Sequence, residues 1–432
     1  MPFRVIIVGG SVAGLTLAHL LDRADIDHVV LEKGKEAAPQ LGASIGIFPN
    51  GARVLEQLDL FGEIQQHVAP LGSTITRFPD GAQFTSSFAR LAHERFGFPI
   101  AFLARQTFLE ILYRRHPKTA SRAIHLDRRV ARIDTAGPEA LVTTADGTVY
   151  RGDLVVGADG VHSRVRATIE QQLGRAAPPP FLTGQYSCVF GMSSAVDGLE
   201  EGRWYDRRFD GATLFAVGGQ DGLVFWFLLQ KLDRVYVYPD CPRWSPGDLD
   251  ATAESFRPRR LYNQVTFGQL WDRRTSAAMT TLEEGVAEVW HHDRTVLIGD
   301  SAHKMTVNIG QGANLAIEDA AVLSTLLKDL LDARDPAARS IPAMLARFQA
   351  RRFDRVKEVY DASRFLVRMH ACDGWLNTLC GRYYFPYAGD KLADMMSRSV
   401  ADGPLVGYLP TPACQGPGWE IYGRGRTGWV YL

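Results

Sequence analysis

Val5-Ile6-Ile7-Val8-Gly9-Gly10-Ser11-Val12-Ala13-Gly14 decides how the chain begins to fold. The four β-branched residues read as a short buried parallel strand. The glycines that follow make a tight turn, and Leu15-Thr16-Leu17-Ala18-His19-Leu20-Leu21 reads as a helix. His28-Val29-Val30-Leu31-Glu32 then reads as a second strand, which completes one βαβ unit. The turn resembles the dinucleotide fingerprint G-x-G-x-x-G. There the first glycine makes the turn, the second lets a pyrophosphate approach the backbone, and the third lets helix and strand pack. Gly9 and Gly14 hold the outer positions, and Ser11 stands where the second glycine is usual. Its hydroxyl is itself a donor for phosphate, beside the free N–H groups of the helix start. Glu32 ends the second strand, where an acid accepts hydrogen bonds from ribose hydroxyls.

Two further segments repeat the strand–turn–helix pattern. Gly152-Asp153-Leu154-Val155-Val156-Gly157-Ala158-Asp159-Gly160-Val161-His162-Ser163-Arg164 reads as a strand, an Asp-Gly turn and a basic helix. Val296-Leu297-Ile298-Gly299-Asp300-Ser301-Ala302-His303 delivers Asp300 to a strand end. It leads through Gly310-Gln311-Gly312-Ala313 into a helix that runs through Leu330. Between these segments, around Gln185–Gly191, Ala212–Val217, Leu223–Leu229 and Arg234–Tyr238, the chain turns aromatic and β-branched. Such composition suits an antiparallel sheet inserted into the nucleotide-type fold. Ala176 to Pro180 reads as a stiff linker into it. Phe353, Val356, Tyr360 and Val367 mark one face of a late helix. The Gly/Pro-rich tail after Val400 carries Trp419, Tyr422, Trp429 and Tyr431, and it is expected to pack down.

Composition narrows the function. The 432 residues are 46% hydrophobic and 22% charged, an ordinary globular balance. The 48 basic and 48 acidic residues give a formal net charge of zero, which provides no field for a polyanion, so no nucleic-acid partner is expected. Five scattered cysteines without a C-x-x-C pair argue against a disulfide scaffold or zinc module and fit a reducing compartment. The most apolar stretch, Gly211–Leu229, is broken by Gly218-Gly219-Gln220-Asp221-Gly222 and reads as a hairpin, not a membrane span. The expectation is a soluble, cytoplasmic protein, monomeric or weakly dimeric.

Taken in order, the three motifs resemble those of the single-component (group A) FAD-dependent monooxygenases of the p-hydroxybenzoate hydroxylase fold, over about residues 3 to 350. The resemblance implies an α/β fold: a Rossmann-like FAD-binding domain of glutathione-reductase type, an inserted antiparallel-sheet substrate domain and C-terminal helices. The expected boundaries are 1–75, 98–175 and 285–350 for the FAD-binding domain, 76–97 and 176–284 for the substrate domain, and 351–432 for the C-terminal helices and tail. Gly42-Ala43-Ser44-Ile45-Gly46-Ile47-Phe48-Pro49-Asn50-Gly51, Arg105-Gln106, Val224-Phe225-Trp226-Phe227 and Gly299 to Met305 look like the fungal enzymes that epoxidise indole diterpenes and meroterpenoids.

By that resemblance the cofactor contacts are Gly9, Ser11, Gly14, Glu32, Gly46, Arg105, Asp159, Asp300, Gly312 and Ala313. Asp300 serves the ribityl chain as an acceptor. The helix opening at Gly312 aims N–H dipoles at the pyrimidine edge of the flavin. Val307 stands where the wider family often has proline. FAD is the implied bound cofactor, NADPH or NADH the transient reductant, and dioxygen a cosubstrate. The implied chemistry is a flavin C4a-hydroperoxide that passes its distal oxygen to a hydrophobic polycyclic substrate, with no metal. Tyr205, in Arg203-Trp204-Tyr205-Asp206, resembles a tyrosine proposed as catalytic in the fungal relatives, and is otherwise a packing residue of the sheet. His303 reads as a loop-fixing residue, and His291-His292 as part of a turn. Phe190, Trp204, Phe209, Phe215, Phe225, Trp226 and Phe227 furnish an apolar roof, of which period-2 alternation allows about half to face one side. The rival chemistries are phenol hydroxylation on the same fold and dehydrogenation by an FAD enzyme without oxygen insertion.

Overall fold

A computed structural model describes residues 2–40, 42–116, 123–175, 181–335, 340–388 and 391–423. The linker at Ala176–Pro180 and the end of the tail, with Trp429 and Tyr431, lie outside the described residues.

The apolar run at the N-terminus becomes the strand Arg4–Val8, at the heart of a six-stranded sheet. It pairs in parallel with Asp27–Leu31 on one side and Leu154–Gly157 on the other. The strand Thr295–Leu297 adds to the outside of Leu154–Gly157, also in parallel. All three motif strands therefore end at the same sheet edge, where open α/β sheets bind their ligands. The helices Val12–Arg23 and Gly312–Asp332 pack against each other over this sheet. Gly14 sits where a Cβ would overlap the carbonyl oxygen of Gly9, so the helix start can lie directly on the turn.

The second body is an eight-stranded sheet. Its order is His303–Lys304, Arg274–Val286, Thr183–Ser193, Val224–Val237, Ala212–Gly218, Arg203–Phe209, Ser73–Arg77 and Gln83–Ser86. The hairpin expected around Gly218–Gly222 is present, with a 3-10 turn at Gln220–Gly222. The separate strands expected at Leu223–Leu229 and Arg234–Tyr238 are one continuous strand, Val224–Val237, because its first half is buried and its exposed second half continues the pairing with Thr183 and Gly184. Helices Pro246–Phe256 and Phe267–Asp272 cover one face of the sheet, and the other face turns toward the nucleotide-type half.

The 30-residue helix Ile341–His370 buries Val356, Tyr360 and Val367, as its periodicity predicts. The tail packs down where it is described. Trp419 donates its ring N–H to the Phe96 carbonyl at 3.0 Å and lies under the Arg53 guanidinium, while Tyr422 donates to Asp394.

A polar cluster lies beneath the first βαβ unit. Asp22, His28 and His116 converge with ligand-type atoms within 4.8 Å of one another, a grouping that residue spacing did not reveal when no ligand cluster was expected. His116 Nε2 lies 3.0 Å from Asp22 Oδ2, and the His19 ring N–H donates to Leu112 O at 2.7 Å. Burial pushes the His19 pKa down to about 4, with His116 and Arg23 acting in the same direction and Asp22 opposing. Below the usual value near 6.5 the unfolded chain takes up a proton that folded His19 refuses. Stability is therefore expected to fall as pH drops from about 6.5 to 4, by up to ~3 kcal/mol at 1.36 kcal/mol per pH unit. Urea midpoints measured across that range check it: His19→Gln should flatten the slope, and an unchanged slope would exclude His19 as its source.

Candidate functional site

The turn at Gly9–Gly14 opens on an elongated cavity of about 770 Å³. One end is bordered by Glu32, Lys33 and Arg128, and the other by Gly312, Ala313, Phe215 and Phe227. Every residue expected to touch the cofactor borders this cavity except Gly14, which lies one turn into the helix and supports the turn from behind.

The Glu32 carboxylate accepts the Gly10 and Gly34 backbone N–H groups, both at 2.7 Å. These bonds fix its orientation and leave lone pairs toward the cavity. Ser11 is the N-cap of its helix, yet its side chain makes no capping bond; its Oγ accepts from Arg105 at 2.8 Å. Gln311, the N-cap of the helix starting at Gly312, makes no side-chain cap either. Neither helix carries an acid in its first turn. Two uncapped helix starts therefore meet one cavity, each offering N–H groups and a positive dipole end. This arrangement fits a dinucleotide with an electron-accepting ring: pyrophosphate at one helix start and an anionic ring edge at the other.

Asp300 borders the middle of the cavity and pairs with Lys304 at 2.6 Å. Burial lowers the Arg105 pKa, while the charges of Asp300 and Glu32 oppose that fall. Asp159 also borders the cavity, but its carboxylate is engaged elsewhere. It accepts from Ser163 Oγ at 2.5 Å, Ser301 Oγ at 3.1 Å, and the Arg164 and Val165 N–H groups. It holds the Asp-Gly turn to the Gly299–Ser301 loop, so its effect on the cavity is to position the wall. The His303 ring N–H donates to Asp319 at 2.7 Å, inside a fully buried ion network with Arg352 and Glu318. That is the loop-fixing part expected of it.

Tyr205 is not in the cavity. It is 1% exposed, accepts the Glu200 N–H at 2.9 Å, and packs against Tyr262 on the far face of the eight-stranded sheet. Strand alternation explains the correction: Trp204 takes the cavity side, and its neighbour must take the other. The aromatic roof divides in the same way. Phe190, Trp204, Phe215, Phe225 and Phe227 share the inner face, while Phe209 and Trp226 face outward with Tyr205. Trp204, Phe215 and Phe227 stack in series with centroids 5.1 and 4.9 Å apart, and Phe102 meets Trp204 at 5.4 Å.

A second chamber of about 580 Å³ adjoins the first. Cys188, Phe190, Phe227, Met279, Leu282 and Trp244 give it an apolar wall. Lys304, Arg105, His162 and Val307 border both chambers, and His162 lies 3.3 Å from Glu283 at their junction. Sequence reading did not single out Lys304 or the His162–Glu283 pair. The first owes its place to pairing of His303–Lys304 with the Arg274–Val286 strand, and the second joins the turn after the Leu154–Gly157 strand to Glu283 on that same Arg274–Val286 strand.

Asp300→Ala removes the acceptor at the cavity's middle and leaves Lys304 without its carboxylate partner. An unpaired buried polar group costs about 1–3 kcal/mol. FAD affinity is expected to fall roughly 5- to 150-fold while the far-ultraviolet circular dichroism stays unchanged. Fluorescence titration of the apoprotein with FAD measures it, and unaltered affinity would remove Asp300 from the site.

Comparison with known proteins agrees with this geometry. The model of the family described as FAD binding domain matches residues 3–188 and 250–363. Over 435 residues the chain is 53% identical to the FAD-dependent monooxygenase penM of Penicillium crustosum, covering 100% of this chain and 93% of that protein. It is 48% identical to the FAD-dependent monooxygenase paxM of Penicillium paxilli, covering 100% and 92%. Klebsiella pneumoniae HpxO, solved with FAD and uric acid, superposes with a TM-score of 0.76 at 23% identity, covering 93% of this chain and 97% of that one, which is a likeness of fold.

Proposed function

The chain belongs to the FAD binding domain family and is an FAD-dependent monooxygenase, and from that premise we propose that it epoxidises an olefin or indole double bond of a terpenoid or prenylated indole. The observation that carries the substrate class is the inner face of the eight-stranded sheet. Phe190, Trp204, Phe215 and Phe227 project from it over the junction of the two chambers. Of these, Phe190 and Phe227 line the chamber of about 580 Å³ with Cys188, Met279, Leu282 and Trp244, and that apolar wall suits a polycyclic molecule.

Bound FAD, reduced by NADPH or NADH, would supply the electrons and activate the dioxygen. Gly9, Ser11 and Arg105 would hold its phosphates, Glu32 its adenosine ribose, Asp300 its ribityl hydroxyls, and the Gly312–Ala313 N–H groups the pyrimidine edge of its ring. The apolar wall then does three things. It takes up the substrate by removing its hydrocarbon surface from water. It holds the double bond against the junction in a narrow range of orientations. It keeps water from the reacting atoms. The charged groups at the junction have partners: Lys304 has Asp300, and His162 has Glu283. A small carboxylate would have to compete with those acids for a cation. Phenol hydroxylation is therefore the weaker reading, and Arg243, which also borders the second chamber, is the residue that would favour it.

The test compares substrate classes on the FAD-loaded enzyme. A prenylated indole or a terpenoid olefin is expected to give one oxygenated product per NADPH consumed. Small phenolic acids should bind weakly and leave NADPH oxidation uncoupled. Efficient, coupled hydroxylation of a phenolic acid would overturn the substrate class.

A further inference from the structure

The polar cluster beneath the first βαβ unit has the chemistry of a metal site. The helix Val12–Arg23 is followed by Asp25 in the left-handed region, at φ 56°, and Ile26 N–H donates to Leu21 O at 2.9 Å. That closure turns the chain straight into the strand Asp27–Leu31. It sets Asp22, in the last turn of the helix, beside His28, the second residue of the strand. His116 arrives from the end of the helix Arg105–Arg114, which packs on Val12–Arg23. The side chains of His28 and His116 are fully buried, and that of Asp22 is 4% exposed. Among the described residues this is the one group of three such side chains close enough to share an ion.

The ligand-type atoms are oriented for one. His28 Nδ1–H donates to the Ile26 carbonyl at 3.1 Å, which fixes the tautomer of the neutral ring and turns the Nε2 lone pair toward His116. His28 Nε2 lies 3.4 Å from His116 Nε2, and His116 Nε2 lies 3.0 Å from Asp22 Oδ2. His116 Nε2 carries one proton or one lone pair, so a single hydrogen bond does not serve both neighbours well. A divalent cation among the three atoms serves all of them. Zinc bonds of about 2.0–2.1 Å at tetrahedral angles separate ligand atoms by roughly 3.3–3.4 Å, close to these spacings. The remaining pair, His28 and Asp22, lies within 4.8 Å, a gap that a turn of the Asp22 carboxylate narrows. The His19 ring packs edge-on against His116 with centroids 5.1 Å apart, and its own Nε2–H donates to Leu112 O. It holds the His116 ring in place from outside the set.

We infer that Asp22, His28 and His116 bind one zinc ion, which ties together the helix Val12–Arg23, the strand Asp27–Leu31 and the end of the helix Arg105–Arg114. Two imidazoles and a carboxylate suit zinc, whereas magnesium and calcium take oxygen donors. The second Asp22 oxygen or a water completes the tetrahedron. The ion also sets a divalent charge beside a buried carboxylate, where water has been removed. The site lies at the opposite end of the strand Asp27–Leu31 from Glu32, and none of its three residues borders either chamber. Its part is therefore structural. The inference stands apart from the substrate reading, because it uses none of the cavity residues.

Elemental analysis of the FAD-loaded protein, purified without chelator and free of any histidine tag, is expected to find about one zinc per chain. After stripping, titration with zinc against a chromophoric competitor should give a Kd below about 1 μM, and zinc should raise the melting temperature. Cobalt in place of zinc should show the intense visible bands of a tetrahedral site, a readout on the unaltered chain. Asp22→Asn, which keeps the shape of the side chain, and His28→Gln should each weaken zinc binding by roughly 100-fold or more, while FAD content stays at the wild-type level. Wild-type protein with neither bound zinc nor sub-micromolar affinity would overturn the inference. So would equal binding by wild type and both variants, which would place the ion elsewhere. Iron at the same stoichiometry, lost in both variants, would overturn the choice of metal. Urea midpoints that report on His19 are read with chelator present, so that metal release and His19 protonation stay separate.

Discussion

Arg352→Met is expected to destabilise the protein by about 3–5 kcal/mol, the usual cost of removing one partner from a buried ion pair. Arg352 is 1% exposed, on the long helix Ile341–His370. Its Nε donates to Asp319 and its terminal nitrogen to Glu318, both at 2.7 Å. Burial alone would raise the Glu318 pKa, but Arg355 and Arg352 outweigh it and hold the carboxylate below its ordinary value. Asp319 behaves alike through His303 and Arg352. Methionine fills a similar volume and leaves two carboxylates in the core with one cation fewer. A loss of that size consumes a large part of the 5–15 kcal/mol that holds a typical domain together. The damage should also reach the cavity, since Asp319 accepts the Gly299 N–H at 2.8 Å and so anchors the loop that carries Asp300. Denaturant midpoint and FAD content, measured together, should both drop. An unfolding free energy within about 0.5 kcal/mol of wild type would mean that the network contributes little.

Gly14→Val is expected to abolish FAD binding. A Cβ at residue 14 would overlap the Gly9 carbonyl oxygen, and Gly9 itself, at φ +108°, has no room for a side chain against the Ala158 carbonyl. The helix Val12–Arg23 would have to lift from the turn, which removes the N–H groups that meet the pyrophosphate. Purified variant should be colourless or insoluble. Gly62→Ala serves as the control, since nothing lies within 4 Å of a Cβ there, and it should retain FAD fully. A yellow Gly14→Val protein with wild-type FAD affinity would refute the role given to the turn.

The Gly9–Gly14 turn, the Asp159-Gly160 turn and the Asp300 loop with its Gly312 helix were legible because each needs particular residues at fixed spacing: glycine where backbones touch, an apolar run before it, a helix after it. The fold class followed from those three units and from the change of texture in the inserted sheet. What stayed hidden depended on parity or on distance along the chain. The inserted strand Arg203–Phe209 contains Trp204 and Tyr205 side by side, and only its register against Ala212–Gly218 decides which faces the cavity. His162 and Glu283, or Asp22 and His116, meet only after separate elements have packed.

The most direct test of the enzyme's assignment is mass spectrometry of products formed under ¹⁸O₂ by the FAD-loaded protein with NADPH and a prenylated indole. The expected product is heavier than its substrate by one ¹⁸O atom, retains all the substrate's hydrogens, and disappears when FAD is withheld. A product that has lost two hydrogens and carries no label would contradict oxygen insertion and make the enzyme a dehydrogenase.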